Sequence, residues 1–143
     1  MADDKKFTED AYEQTLIALF RDELGYAYEC GYDVERDYKE PFYRADLVAS
    51  MRRLNPELPA DLMDDGIKKI TDIHIGTLEQ NNEQFTLWMQ NGMEVGYTQD
   101  GEERTVLMRL IDFDHPERNL FNVVNQWRVE EDKNKRCDMV VIV

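Results

Sequence analysis

The chain has 143 residues with 17 Lys and Arg against 31 Asp and Glu, a formal charge of −14, and is 42% hydrophobic and 34% charged. It is too apolar for a disordered tail and too charged for a membrane protein, and no run nears the roughly 20 apolar residues of a membrane span. So strong an excess of acid excludes adhesion to nucleic acid by bulk electrostatics, which depends on Lys and Arg displacing counterions. The length predicts a single domain over residues 1–143. The opening Met1-Ala2-Asp3-Asp4-Lys5-Lys6 has no apolar segment after its charges, so a secretory signal is not expected and the location is read as cytoplasmic, with no membrane partner.

The first predicted element is a helix with Thr8 as N-cap, Glu9 and Asp10 at the positive end of its dipole, and Gly25 as its stop. Tyr12, Leu16, Leu19, Phe20 and Leu24 form its apolar stripe. Tyr26 to Pro41 is aromatic, acidic and aperiodic, and reads as a loop or short irregular segments. A second helix runs from about Tyr43 to Leu54 with Leu47, Val48 and Met51 inward, and Asn55-Pro56-Glu57-Leu58-Pro59 breaks it. A third starts near Asp61 and carries Leu62, Met63, Ile67 and Ile70. A fourth covers Gly76 to Gln90, with Leu78, Phe85, Leu87, Trp88 and Met89 apolar, and ends at Asn91-Gly92.

From Gly92 onward the period changes to that of strands. Met93 to Tyr97 alternates, Gln99-Asp100-Gly101-Glu102 is a hairpin turn, and Arg104 to Asp112 returns. Phe113 to Arg118 is a connection, Asn119 to Val129 a third strand, Glu130 to Lys135 a polar turn, and Arg136 to Val143 a fourth strand. The expected class is α+β, a helical first half followed by a mostly antiparallel, meandering sheet. The apolar run Met139 to Val143 leaves two readings open: a strand docked mid-sheet, or a chain cut inside a domain.

Charge is uneven along the chain. Residues 1–50 hold 6 basic and 13 acidic side chains, residues 51–100 hold 4 and 9, and residues 101–143 hold 7 and 9. A DNA-facing surface, if one exists, belongs in the nearly balanced last third. Cys30 and Cys137 do not suggest a disulfide framework and read as small, partly buried residues.

Several chemistries are excluded by spacing. His74 and His115 stand far apart, with no H-x-x-x-H or C-x-x-C pattern for zinc. Gly92-Met93-Glu94-Val95-Gly96 lacks the Lys and following helix of a phosphate loop. The helices flanking Asn55 to Pro59 read as a plain αα-hairpin, because Asp61, Asp64, Asp65 and Asp72 would repel DNA from the second. Asp112-Phe113-Asp114-His115-Pro116-Glu117 could hold a hard cation, but a turn made by Asx-type hydrogen bonds is the better-supported reading. Glu13 shares a helical row with Glu9, Ile17, Phe20 and Leu24, which puts its carboxylate beside the stripe facing the sheet; a boundary glutamate snorkelling outward is the plain alternative. Asp138 opens the apolar terminal strand, a costly position unless a hydrogen bond or a metal compensates.

Thr8-Glu9-Asp10-Ala11-Tyr12-Glu13-Gln14-Thr15-Leu16-Ile17, running on to Leu24-Gly25-Tyr26, resembles the opening helix of the R subunits of type I restriction–modification enzymes. Leu54 to Ile70, Asn91 to Val95 and Leu110 to Phe113 look like that family too. The most specific part, Glu117-Arg118-Asn119-Leu120-Phe121-Asn122-Val123-Val124-Asn125-Gln126-Trp127-Arg128-Val129, is similar to its N-x-F-x-V-x-N-Q-aromatic block. Arg136 to Val143 resembles its R-x-D-hydrophobic strand. The likeness covers nearly the whole chain.

The resemblance implies a PD-(D/E)xK nuclease-like domain, in which an Asp and the acid and Lys of an E-x-K strand gather Mg²⁺ at the scissile phosphate. Asp138 falls on the family's Asp, with Glu13 as a second candidate; both are therefore expected to be catalytic and metal-binding. The E-x-K strand would come after Val143, so residues 1–143 are expected to be an incomplete nuclease domain, inactive alone. The parent would perform Mg²⁺-dependent, ATP-driven DNA cleavage with methyltransferase and specificity subunits, its ATP bound outside these residues. Asp138 and Glu13 are expected on one side of the sheet, with Asp138 at the start of a central strand. The terminal strand is expected to pair on one side only and to invite an edge-to-edge dimer. The rival reading, resting on the charge of −14, is a small acidic interaction protein or DNA mimic without catalysis.

Overall fold

A computed structural model describes residues 8–143. The Met1 to Lys6 segment, read above as lacking a secretory signal, lies outside the described residues. Among the described residues four α-helices and five strands follow one another as α1 (Glu9–Ala18), β1 (Ala27–Cys30), α2 (Arg44–Leu54), α3 (Ala60–Thr71), α4 (Leu78–Asn91), β2 (Met93–Gln99), β3 (Glu102–Met108), β4 (Asn122–Glu130) and β5 (Asn134–Ile142). This is the α+β class expected. None of the described helices is long and apolar enough to cross a membrane. The chain divides into two compact units, one built from residues up to Pro41 together with Leu120–Val143, the other from Phe42–Asn119.

In the first unit Thr8 caps α1 as predicted, its hydroxyl accepting from the Ala11 N–H at 3.2 Å. The helix then widens into a π-turn, Leu19–Glu23, and ends near Gly25, whose φ of +71° is readily adopted without a Cβ. Its buried side chain is Ile17, at 2% exposure, whereas Tyr12, Leu19 and Leu24 are about half exposed. The predicted stripe is therefore too broad: beside Ile17, Leu16 and Phe20 are partly buried, as is Glu13.

The segment read as a loop contains β1. It pairs in parallel with β4, Ala27 opposite Asn122 and Cys30 opposite Asn125. Strand β4 pairs antiparallel with β5 on its other side, so the order is β1-β4-β5. The sheet is thus mixed and not a continuous meander. Val123 and Val124 are 1% and 0% exposed, which marks β4 as a strand covered on both faces. Phe121 stacks on Tyr26 at 4.9 Å, and Arg36 lies 3.5 Å from the Trp127 ring centroid.

The second unit packs α2, α3 and the β2–β3 hairpin around Met51, Leu62, Met63, Ile67, Ile70, Met93, Val95, Met108 and Leu110, with Phe85, Trp88 and Met89 of α4 partly buried against them. All four residues predicted inward on α3 are buried, while Leu78 and Leu87 of α4 are exposed. Thr77 and Gln80 form a reciprocal capping box at the start of α4. The hairpin turns at Asp100 and Gly101, both at positive φ as a two-residue primed turn requires.

Strand β3 ends at Met108, short of the predicted Asp112, because Arg109 spends its backbone on a side chain. Its N–H donates to Asn55 Oδ1 at 2.7 Å and its carbonyl accepts from Asn55 Nδ2 at 2.8 Å. Asp112 then closes the turn favoured from sequence, Oδ1 accepting from the Asp114 and His115 N–H groups at 3.2 and 3.0 Å. Asn119, read above as the start of a strand, belongs to this turn: its amide bridges the Asp112 N–H and carbonyl at 2.9 and 2.8 Å.

Candidate functional site

Glu13 is partly buried on α1 and is not snorkelling. Its two carboxylate oxygens accept separately, Oε1 from Asn125 Nδ2 at 2.8 Å and Oε2 from Gln126 Nε2 at 3.0 Å. Two donors on two oxygens fix the carboxylate plane, because rotation would break one bond or the other. Asn125 is itself held: Oδ1 accepts from Tyr28 Oη and from the Gly31 N–H, both at 3.3 Å. Burial, with Cys30 and Glu13 nearby, pushes the Tyr28 hydroxyl above its ordinary value, so it remains a donor.

Gly31 is what lets these groups approach. A Cβ there would stand 2.2 Å from the Asn125 carbonyl oxygen and 2.5 Å from that of Gln126. Gln126 has a φ of +51°, a left-handed conformation sparsely populated by residues with side chains. The β4–β5 ladder is interrupted at this point, with Asn125 opposite Met139 and Trp127 opposite Cys137. Gln126 and Asp138 are the two residues passed over between these pairs; Gln126 donates to Glu13 and lines one groove with Asp138. The kink also explains how two consecutive strand residues both reach Glu13, since regular strand residues alternate faces.

Asp138 is the fifth residue of β5 and is exposed. Two sequence expectations are corrected here. It does not open its strand, and β5 is at the sheet edge, with β4 in the centre. An exposed edge position carries no desolvation cost, so the compensation argued for it is not needed. Asp138 and Gln126 line one groove of about 390 Å³ with Gly31, Tyr32, Tyr38 and Arg128 among others. Cys137 is exposed, not partly buried, and both cysteines are free thiols.

Asn125, Gln126 and Gly31 were not read from the sequence as site residues. The available signal was a pair of amides set in the apolar run Val123 to Trp127, since buried amides need partners. As for a cation, carboxylate and amide oxygens are of the hard type Mg²⁺ takes. Asp138 makes no hydrogen bond or ion pair among the described residues, which leaves it able to ligate. Glu13 keeps lone pairs beyond the two it uses. In number the set is short, for no group of three His, Cys, Asp or Glu side chains that could hold a metal occurs among the described residues. The carboxylates fit part of such a site.

A mixed sheet flanked by a helix whose Glu13 carboxylate is clamped by strand amides, with Asp138 on the edge strand, defines an α+β domain. Residues 6–143 match the family described as type I restriction enzyme R protein N terminus, and the chain belongs to that family. It is 34% identical over 119 residues to the type I restriction enzyme HindI endonuclease subunit of Haemophilus influenzae, covering 77% of this chain and 11% of that protein. It is 26% identical over 148 residues to the protein of Methanocaldococcus jannaschii named "Putative type I restriction enzyme MjaIXP endonuclease subunit", covering 96% of this chain and 14% of that one. The chain thus spans a small part of the length of these relatives. No solved structure matches it significantly.

Proposed function

We propose that this chain supplies acidic residues to the DNA-cleaving centre of a type I restriction endonuclease R subunit, a PD-(D/E)xK-type nuclease. The reading is supported chiefly by one observation: the Glu13 carboxylate is clamped by Asn125 and Gln126, and Gln126 lines one groove with Asp138. Asp138 and Glu13 would hold Mg²⁺, the remaining ligands coming from water and from residues outside this chain. Such an ion activates water and neutralises charge developing on the scissile phosphate. The chain's own part is to orient: the two amides fix Glu13, Tyr28 and the Gly31 N–H fix Asn125, and Asp138 offers an unengaged carboxylate. The parent couples cleavage to ATP bound elsewhere and works with methyltransferase and specificity subunits in the cytoplasm. Membership of the family accounts for the chain without the acidic-mimic reading.

The test uses the parent R subunit assembled with its partner subunits. Asp138→Ala should lower DNA cleavage by about 10³-fold, the loss of one metal-holding carboxylate. Glu13→Gln should cost about 10–100-fold, and ATP hydrolysis should persist in both. Cleavage at the parental rate by Asp138→Ala would overturn the assignment.

A further inference from the structure

The groove beside Asp138 has a charge that the cleavage reading does not use. Its lining holds three cations, Arg128, Lys135 and Arg136, against the single carboxylate Asp138, in a chain whose net charge is −14. The register makes this concentration costly, because Arg128 of β4 and Arg136 of β5 are directly opposite. Like charges facing across a strand pair destabilise it unless an anion lies between or beside them. Arg128 is partly neutralised, 2.6 Å from Glu130 and 5.1 Å from the Tyr38 ring centroid. Arg136 is not: it donates to Tyr32 Oη at 2.9 Å, and that hydroxyl lies 3.5 Å from Gln126 Oε1. Neither Arg136 nor Lys135 has a carboxylate at ion-pair distance among the described residues. An arginine aimed by a tyrosine, a lysine left free and two aromatic faces form an anion-binding chemistry suited to a nucleic-acid backbone.

We propose that this groove binds backbone phosphates of the DNA strand presented to Asp138, with Arg136 and Lys135 as the contacting cations. The choice of DNA over a free anion rests on the nuclease reading above. The groove has a positioning role: it draws one strand towards the acidic residue against the repulsion of the rest of the chain.

The experiment measures fluorescence anisotropy of a labelled duplex with the 143-residue chain in EDTA, between about 50 and 200 mM NaCl. Lys135→Gln with Arg136→Gln should weaken binding about tenfold or more at the lower salt and reduce the salt slope by about 0.9 for each cation removed. Lys135→Gln alone, which removes no side-chain hydrogen bond or ion pair among the described residues, should show its share of that loss with an unchanged melting temperature. Arg136→Lys should keep the slope, and Asp138→Asn should tighten binding by removing a like charge. Undetectable binding by the unmodified chain, or an unchanged slope in the double variant, would overturn the proposal. Competition by inorganic phosphate no weaker than by unlabelled duplex at equal ionic strength would also overturn it, reducing the groove to a small-anion site. Loss of binding in the double variant alongside normal cleavage by Asp138→Ala in the parent would leave the groove standing and remove only the nuclease reading.

Discussion

Asp112 is 2% exposed yet carries a charge, and its surroundings explain why. Burial alone would raise its pKa. The His115 N–H and the neighbouring Arg109, His115 and Arg118 side chains outweigh burial and hold the carboxyl below the ordinary carboxylate value. A carboxyl depressed on folding contributes stability that is fully present above its unfolded pKa, and that contribution is lost as pH falls through the folded value. The loss should therefore begin below about pH 4, the unfolded Asp range. Thermal melts from neutral pH to pH 3 should show a steeper fall for the wild type than for Asp112→Asn, and equal slopes would remove the carboxylate from this balance. The same residue answers the question its hexapeptide raised in the sequence. Both readings need oxygen-rich side chains, and only the positions of the backbone N–H groups distinguish an Asx-type turn from a cation site. Glu13 is the reverse case: its helical row was legible, but not the two amides that make it an oriented group.

At the scale of elements, the contact that positions the candidate site is the approach of the β1 end to β4. The Gly31 N–H donates to the Asn125 carbonyl at 2.9 Å, extending the parallel ladder by one bond beyond β1. Adding a methyl group at Gly31 would push against two backbone carbonyls, which cannot swing aside as a side chain can. Gly31→Ala should therefore cost about 1–3 kcal/mol, read as a lower midpoint in urea unfolding. It should also disturb the Asn125 amide that orients Glu13. An unchanged midpoint would mean that the segment after β1 can move away from β4 without loss. Helices α2, α3 and α4 were legible because each carries an apolar period, with Asn55 to Pro59 separating α2 from α3 and Asn91-Gly92 ending α4. Strand β1 was not, since four residues without alternation, Ala-Tyr-Glu-Cys, become a strand only when β4 supplies the hydrogen bonds.

Across the whole molecule, the chain leaves its first unit after Pro41 and returns to it at Leu120. Each unit is built around its own buried residues. In the first, β5 pairs with β4 alone among the described residues, leaving its outer edge open, and Val141 is 44% exposed. An apolar edge strand is a template for another chain. We therefore expect concentration-dependent self-association of the 143-residue chain through β5, measured by analytical ultracentrifugation and reduced by Val141→Lys. A monomer at high concentration would show that charge repulsion prevails over the open edge.

By itself the sequence determined what depends on neighbours along the chain: the α+β class, the Thr8 start of α1, the inward face of α3, and the Asp100-Gly101 turn. It also marked Glu13 and Asp138. Tertiary structure alone decided that β1 exists, that its pairing is parallel, that Asp138 sits on an edge, and that Glu13 meets Asn125 and Gln126, 112 and 113 residues away. The reason is physical. Caps, turns and apolar periods are written within a few residues, whereas the partner of a buried amide and the neighbour of a short strand are fixed only when distant segments pack.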